Sequence, residues 1–132
     1  MPGGESESRS GISLLLVDDE EGFVRVLANR LERREITVTK AYSGSQAIQA
    51  LRGRNFDVAV LDLKMEDMDG IEVLKVFKKM DPSLRVIMLT GHGSERAARD
   101  GISQGAFDYL IKPVGLTRLV ETISAALASE IP

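Results

Sequence analysis

Four apolar runs in this 132-residue chain end on polar side chains that complement one another chemically. "ISLLLVDDEE" (12–21) delivers Asp18 and Asp19, and "DVAVLDLKMEDMDG" (57–70) delivers Asp62. "VIMLTGHG" (86–93) ends its apolar stretch on Thr90, and "YLIKPV" (109–114) ends on Lys112. Two carboxylates about 4 Å apart repel by roughly 4 kcal/mol at an effective dielectric near 20, so an acid cluster needs a cation within it. All-oxygen ligation with room for water suits Mg²⁺, which typically takes one or two carboxylates together with phosphate oxygens. A carboxylate is also a nucleophile that can carry a phosphoryl group. The metal and Lys112 would neutralise the oxygens of such a group, and Thr90 would donate a hydrogen bond to one of them. Each residue alone has a plainer role: the acids can cap a helix, Thr90 can bond to nearby backbone, and Lys112 can sit in solvent.

The constellation requires a scaffold that brings strand ends together. Short apolar runs alternate with helical patterns from Ile12 onward, as expected of a parallel sheet built from strand-helix units. The expected strands are 12–17, 36–40, 57–61, 84–89 and 108–111. Helical spacing relates Phe23, Val24, Leu27 and Leu31, and again Ala47, Ile48 and Leu51. A third helix carries Ile71, Leu74, Phe77 and Met80, with Asp69 as its cap and its end set before Pro82. The last helix has the longest stripe: Leu116, Leu119, Val120, Ile123, Ala126 and Leu127. The fourth, within 94–106, offers only Ala97, Ala98 and Ile102 as an apolar side. Its Gly101 costs about 1 kcal/mol against alanine, so weak anchoring is expected. In an open parallel α/β sheet, ligands bind outside the carboxyl ends of the strands. If the first and third strands are neighbours, the three carboxylates converge there.

The length suits one domain with a hydrophobic core. Apolar residues make up 43% and charged residues 28%, the balance of a globular chain. A net charge of −3 does not favour binding to nucleic acid, which relies on clustered Lys and Arg. The absence of cysteine excludes disulfides, thiol catalysis and Cys-based zinc sites. No apolar run nears the roughly 18 residues of a membrane span, and the N-terminus lacks an apolar secretory core. A cytoplasmic location without membrane partners is therefore expected, with 1–11 as a disordered leader, 12–128 as the domain and 129–132 as a tail.

Taken in order, "LLLVDDEE", "VLDLKMEDMDG", "MLTGHG" and "DYLIKP" resemble the receiver domain of two-component response regulators, over residues 12 to about 128. The resemblance implies a flavodoxin-like α/β fold, a five-stranded parallel sheet in the order 2-1-3-4-5 with helices on both faces. It implies that Asp62 accepts a phosphoryl group from a sensor histidine kinase or phosphotransfer protein. Asp19 would ligate Mg²⁺ directly, Asp18 largely through water, and the Lys64 backbone carbonyl would complete the protein ligands. Thr90 and Lys112 would contact the phosphoryl oxygens. Tyr109 matches the switch aromatic, which turns inward when Thr90 moves, and the output or homodimer face is formed by helix four, strand five and helix five. Lys112-Pro113 matches a pair whose peptide bond is cis in the family.

Two positions depart from the family pattern. Glu66 replaces a common proline, which is expected to loosen the acceptor loop and adds an anion, and Val114 stands where phenylalanine is common. Lys64 and His92 border the phosphoryl site, and a cationic side chain there is expected to lengthen the life of the acyl phosphate. Rival readings are weaker. A haloacid-dehalogenase-like phosphatase needs a second aspartate where Lys64 stands. "GHG" (91–93) lacks the rest of a nucleotide-binding glycine motif. A degenerate, phosphorylation-independent receiver would not need the acid pair, Asp62, Thr90 and Lys112 together.

Overall fold

The computed structural model describes residues 11–91 and 93–129. Five strands alternate with five helices: β1 (Ile12–Val17), α1 (Glu21–Glu32), β2 (Ile36–Ala41), α2 (Gly44–Gly53), β3 (Val58–Asp62), α3 (Gly70–Met80), β4 (Arg85–Thr90), α4 (Glu95–Ser103), β5 (Asp108–Ile111) and α5 (Leu116–Ala128). All strand pairs are parallel and the sheet runs β2-β1-β3-β4-β5. The chain therefore reverses its direction of winding after β2, and β1 lies beside β3 as the carboxylates require.

The central strands are buried on both faces, which explains their nearly unbroken apolar character. Leu15 and Val17 of β1 and Ala59 and Leu61 of β3 pack with Leu51 of α2, Val73, Leu74 and Phe77 of α3, and Ala98 of α4. The alternate residues, Leu14, Leu16, Val58 and Val60, pack with Val24, Leu27 and Leu31 of α1 and Leu119, Ile123 and Ala126 of α5. The period-two alternation of strand side chains thus sorts the sequence into two cores.

Three local readings are corrected. Strands three and four begin one residue later than 57 and 84 and end one residue later, at Asp62 and Thr90. At β4 the Leu84 N–H closes a turn on the Asp81 carbonyl (3.1 Å), leaving Arg85 to start the strand. β2 also extends one residue further, to Ala41. In α4 the inward residues are Ala98 and Gly101, while Ala97 and Ile102 face outward, Ile102 being 39% exposed. Gly101 is a point of close approach: a Cβ there would lie 2.5 Å from the Met88 Cε on β4. The missing side chain lets a helix of small residues sit directly on the sheet. The Asp69 cap of α3 is present, with its Oδ1 accepting from the Ile71 N–H at 3.0 Å.

Candidate functional site

The carboxyl ends of β1, β3, β4 and β5 supply the site. Asp18 follows β1 directly, its N–H donating to the Ala41 carbonyl on β2 (3.1 Å) and its side chain wholly buried. Asp62 closes β3 opposite Leu89, and the next N–H, of Leu63, donates to the Leu89 carbonyl (3.0 Å). Ligand oxygens of Asp18, Asp19 and Asp62 all lie within 4.8 Å of one another. The expected convergence of the three carboxylates is present.

Lys112 is the cation of the cluster. Its backbone N–H donates to the Thr90 carbonyl (2.7 Å), which fixes the root of the side chain beside β4. Its Nζ lies 2.7 Å from Asp18 Oδ2, 3.2 Å from Glu20 Oε1 and 3.6 Å from Asp62 Oδ1. The same ammonium stands 4.6 Å from the centroid of the Phe23 ring, within cation–π range. Burial works against the charged ammonium, but the hydrogen bond to Asp18 and the charges of Asp18 and Asp62 outweigh it and raise the Lys112 pKa. For Asp62 the balance goes the other way. Burial, followed by the charge of Asp18, pushes its pKa up to about 6; Asp19 adds to the rise, and Lys112 offsets only part of it. One ammonium against three carboxylates leaves the site electron-rich, and its donors are all oxygens, so it fits a hard divalent cation. Asp18, Asp19 and Asp62 are the side chains that would hold it.

The remaining residues named from the sequence are placed less directly. Thr90 is buried, and its hydroxyl donates to the Gly91 carbonyl at 3.3 Å, the plainer of its two roles. Tyr109 pairs with Met88 across β4 and β5 and packs, half-buried, against the core that includes Ala98. The Lys64 side chain is exposed, and its backbone forms a bridge with Asp69 that folds the β3–α3 loop back on itself. Gly70 allows that fold, since a Cβ there would lie 2.6 Å from the Leu63 Cα. The Lys112-Pro113 bond is cis. His92 lies outside the described residues.

Three contributors went unread in the sequence. Glu20 is the N-cap residue of α1 but makes no side-chain cap bond; it reaches Lys112, while Asp18 Oδ1 accepts from the Glu20 N–H (3.0 Å). Phe23, counted only as part of a core stripe, lies under the ammonium. Asp67 accepts from the N–H groups of Gly44 (2.9 Å) and Ser45 (3.1 Å) at the start of α2 and from the Ser45 hydroxyl (3.0 Å). Those bonds, with Gly44 first, hold the Asp67 pKa below the ordinary carboxylate value. These bonds tie the β3–α3 loop to the start of α2.

Comparison with known proteins gives one consistent result. Residues 14–124 match the family described as the response regulator receiver domain. The chain is 38% identical over 120 residues to the transcriptional regulatory protein ZraR of Salmonella typhimurium, covering 91% of this chain and 27% of that protein. It is 37% identical over 119 residues to the transcriptional regulatory protein GlrR of Escherichia coli, covering 90% of this chain and again 27% of the relative. It therefore spans about a quarter of the length of these relatives. Among solved structures, the receiver domain of NtrX from Brucella abortus superposes with a TM-score of 0.85 at 30% identity, covering 89% of this chain and 99% of that one. A response regulator receiver domain protein from Clostridium thermocellum gives 0.84 at 32% identity, covering 87% and 93%.

Proposed function

Because the chain belongs to the response regulator receiver domain family, we propose that Asp62 is its phosphoacceptor and that Mg²⁺ is its cofactor. The observation that carries this reading is the convergence of Asp62 with Asp18, Asp19 and the Lys112 ammonium at one sheet edge. With a pKa of about 6, Asp62 is mostly ionised at neutral pH and available as a nucleophile. A carboxylate oxygen attacks the phosphorus of a phosphohistidine on a sensor histidine kinase or phosphotransfer protein; the P–N bond breaks, its electrons return to the imidazole, and an acyl phosphate remains on Asp62. Bound Mg²⁺ would neutralise phosphoryl oxygens, held by Asp18, Asp19, Asp62 and the Lys64 carbonyl. Lys112 exchanges part of its contact with Asp18 and Glu20 for a phosphoryl oxygen, and Thr90 turns its hydroxyl from Gly91 to another.

The domain is a signalling unit, assigned to residues 12–128, that takes part in its own phosphorylation and dephosphorylation. No helix among the described residues is long and apolar enough to cross a membrane, which accords with the cytoplasmic site where such kinases act. Incubation with Mg²⁺ and acetyl phosphate should raise the intact mass by one phosphoryl group, and Asp62→Asn should show no gain. An unmodified parent, or a modified Asp62→Asn, would overturn the assignment.

The output follows from the position of Thr90. When its hydroxyl leaves Gly91, Tyr109 can turn inward beside it, altering the face of α4, β5 and α5 that would meet an output partner or a second copy. Amide exchange across residues 91–115 should change on addition of a phosphoryl mimic, and Thr90→Ala should blunt the change. An unaltered profile would count against the coupling.

Lys64, whose side chain is exposed, and His92 are assigned to phosphoryl lifetime. A cationic side chain across the phosphoryl oxygens crowds the line of water attack, and a barrier change of about 1.4 kcal/mol means a tenfold change in rate. Decay of the acyl phosphate should quicken in Lys64→Ala and His92→Ala. Unchanged or slower decay refutes the shielding.

A further inference from the structure

The Lys112 backbone is fixed by its N–H bond to the Thr90 carbonyl, but a flexible four-carbon stem separates that anchor from the ammonium. What holds the charged end is therefore a separate question. Asp18 Oδ2 at 2.7 Å and Glu20 Oε1 at 3.2 Å are within hydrogen-bond reach, and Asp62 Oδ1 at 3.6 Å lies beyond it. The Glu20 side chain is 67% exposed, so water screens that pair and its hold is slight. Apart from the buried Asp18, the other close contact is the Phe23 ring, whose centroid is 4.6 Å from Nζ. Phe23 is the third residue of α1, half-buried against the core that contains Val24, Leu27 and Leu31, so the helix sets where the ring stands.

We propose that Phe23 is a positioning residue for phosphoryl transfer: its ring seats the Lys112 ammonium at the sheet edge and keeps it there while the ammonium trades Asp18 and Glu20 for a phosphoryl oxygen. The attraction of an aromatic face acts on the charge and not on a particular N–H. All three donors of the ammonium thus stay available to oxygen acceptors. A third carboxylate in the place of the ring would hold the ammonium by taking one of those donors. An aliphatic side chain would cover it without attracting it. The ring therefore tunes the rate and is not required for the reaction. This inference rests on the reading of Asp62 as phosphoacceptor.

The test compares the parent with Phe23→Leu and Phe23→Tyr. In metal-free protein carrying ¹³C-labelled lysine, the Lys112 ε-methylene signal, assigned with Lys112→Met, should be displaced by the ring current in the parent and in Phe23→Tyr. In Phe23→Leu it should join the signals of the other lysines. A cation–π contact corresponds to a factor of about two to five at exposed sites and about thirty when desolvated. Lys112 is part-buried, so phosphorylation by acetyl phosphate at saturating Mg²⁺ should be about fivefold slower in Phe23→Leu and near the parental rate in Phe23→Tyr. Because the ring acts through the ammonium, Phe23→Leu should slow Lys112→Met no further. A parent that takes no phosphate removes the phosphoacceptor reading and this inference with it. A parent that is phosphorylated, beside a Phe23→Leu that is equally fast or that slows Lys112→Met by the same factor, overturns the inference alone. A Lys112 signal unmoved by Phe23→Leu also overturns it. If Phe23→Leu does not fold, Phe23→Met takes its place with the same outcomes.

Discussion

Asp62→Asn should raise the stability of the metal-free protein by about 3 kcal/mol above pH 6, the worth of moving a carboxyl from its ordinary 3.8 to about 6 in the folded state at 1.36 kcal/mol per pH unit. The cause is burial of an anion first, and the nearby Asp18 second. The folded-state pKa is raised, so the folded protein binds more protons than the unfolded chain between 3.8 and about 6. The contribution of Asp62 to stability is therefore fully present below 3.8 and is lost as the pH rises through 6. Asparagine keeps the shape and cannot ionise, so its advantage should be complete above pH 6 and fade to little below 3.8. Denaturant melts of both proteins in chelator, over that range, measure the difference. Added Mg²⁺ should close most of the gap by binding the folded parent alone. A gain independent of pH, or a loss of stability, would mean that Asp62 is not the strained anion described.

The strain was legible in part. Asp18, Asp19 and Asp62 stood out because an acid at the end of an apolar strand is a conflict readable from local pattern. The five-strand alternation was legible for the same reason, since the central strands are apolar on both faces. What escaped depends on choices between distant partners. Lys112 contacts Glu20 across 92 positions, and Asp67 caps α2 across 23, with no local signal in either segment. Thr90 was legible as a hydroxyl at a strand end able to bond to nearby backbone, and it bonds to the adjacent Gly91 carbonyl. The face of α4 was misread because its contacts rest on Ala98 and Gly101, whose small size carries almost no hydrophobic periodicity. The Glu66 N–H donates to Asp19 Oδ2 at 3.2 Å, a contact with no sequence signal because a backbone N–H is common to every residue except proline.

The electrostatics that make Asp62→Asn stabilising should make Lys112→Ala destabilising, by about 3 kcal/mol without metal, because removing one partner of a buried pair leaves its charge uncompensated. The orphan would be Asp18, whose side chain is fully buried with the Lys112 ammonium 2.7 Å away. Part of any loss in Lys112→Ala would come from the aliphatic stem and its contact with Phe23. Lys112→Met retains a long side chain and deletes only the charge, so most of the loss should persist in it. Adding Asp18→Asn to Lys112→Met removes the orphaned anion and should restore most of the stability, giving a coupling in the double-mutant cycle larger than exposed ion pairs show. The same variant should bind Mg²⁺ more tightly than the parent, since the ion no longer competes with an ammonium among three carboxylates, yet it should accept phosphate more slowly for want of that ammonium at the phosphoryl oxygens. Stability falling while cation affinity rises separates loss of a neutralising charge from general damage to the fold, which would lower both. Lys112→Met melting like the parent, or unaffected by Asp18→Asn, would show that the 2.7 Å contact contributes little.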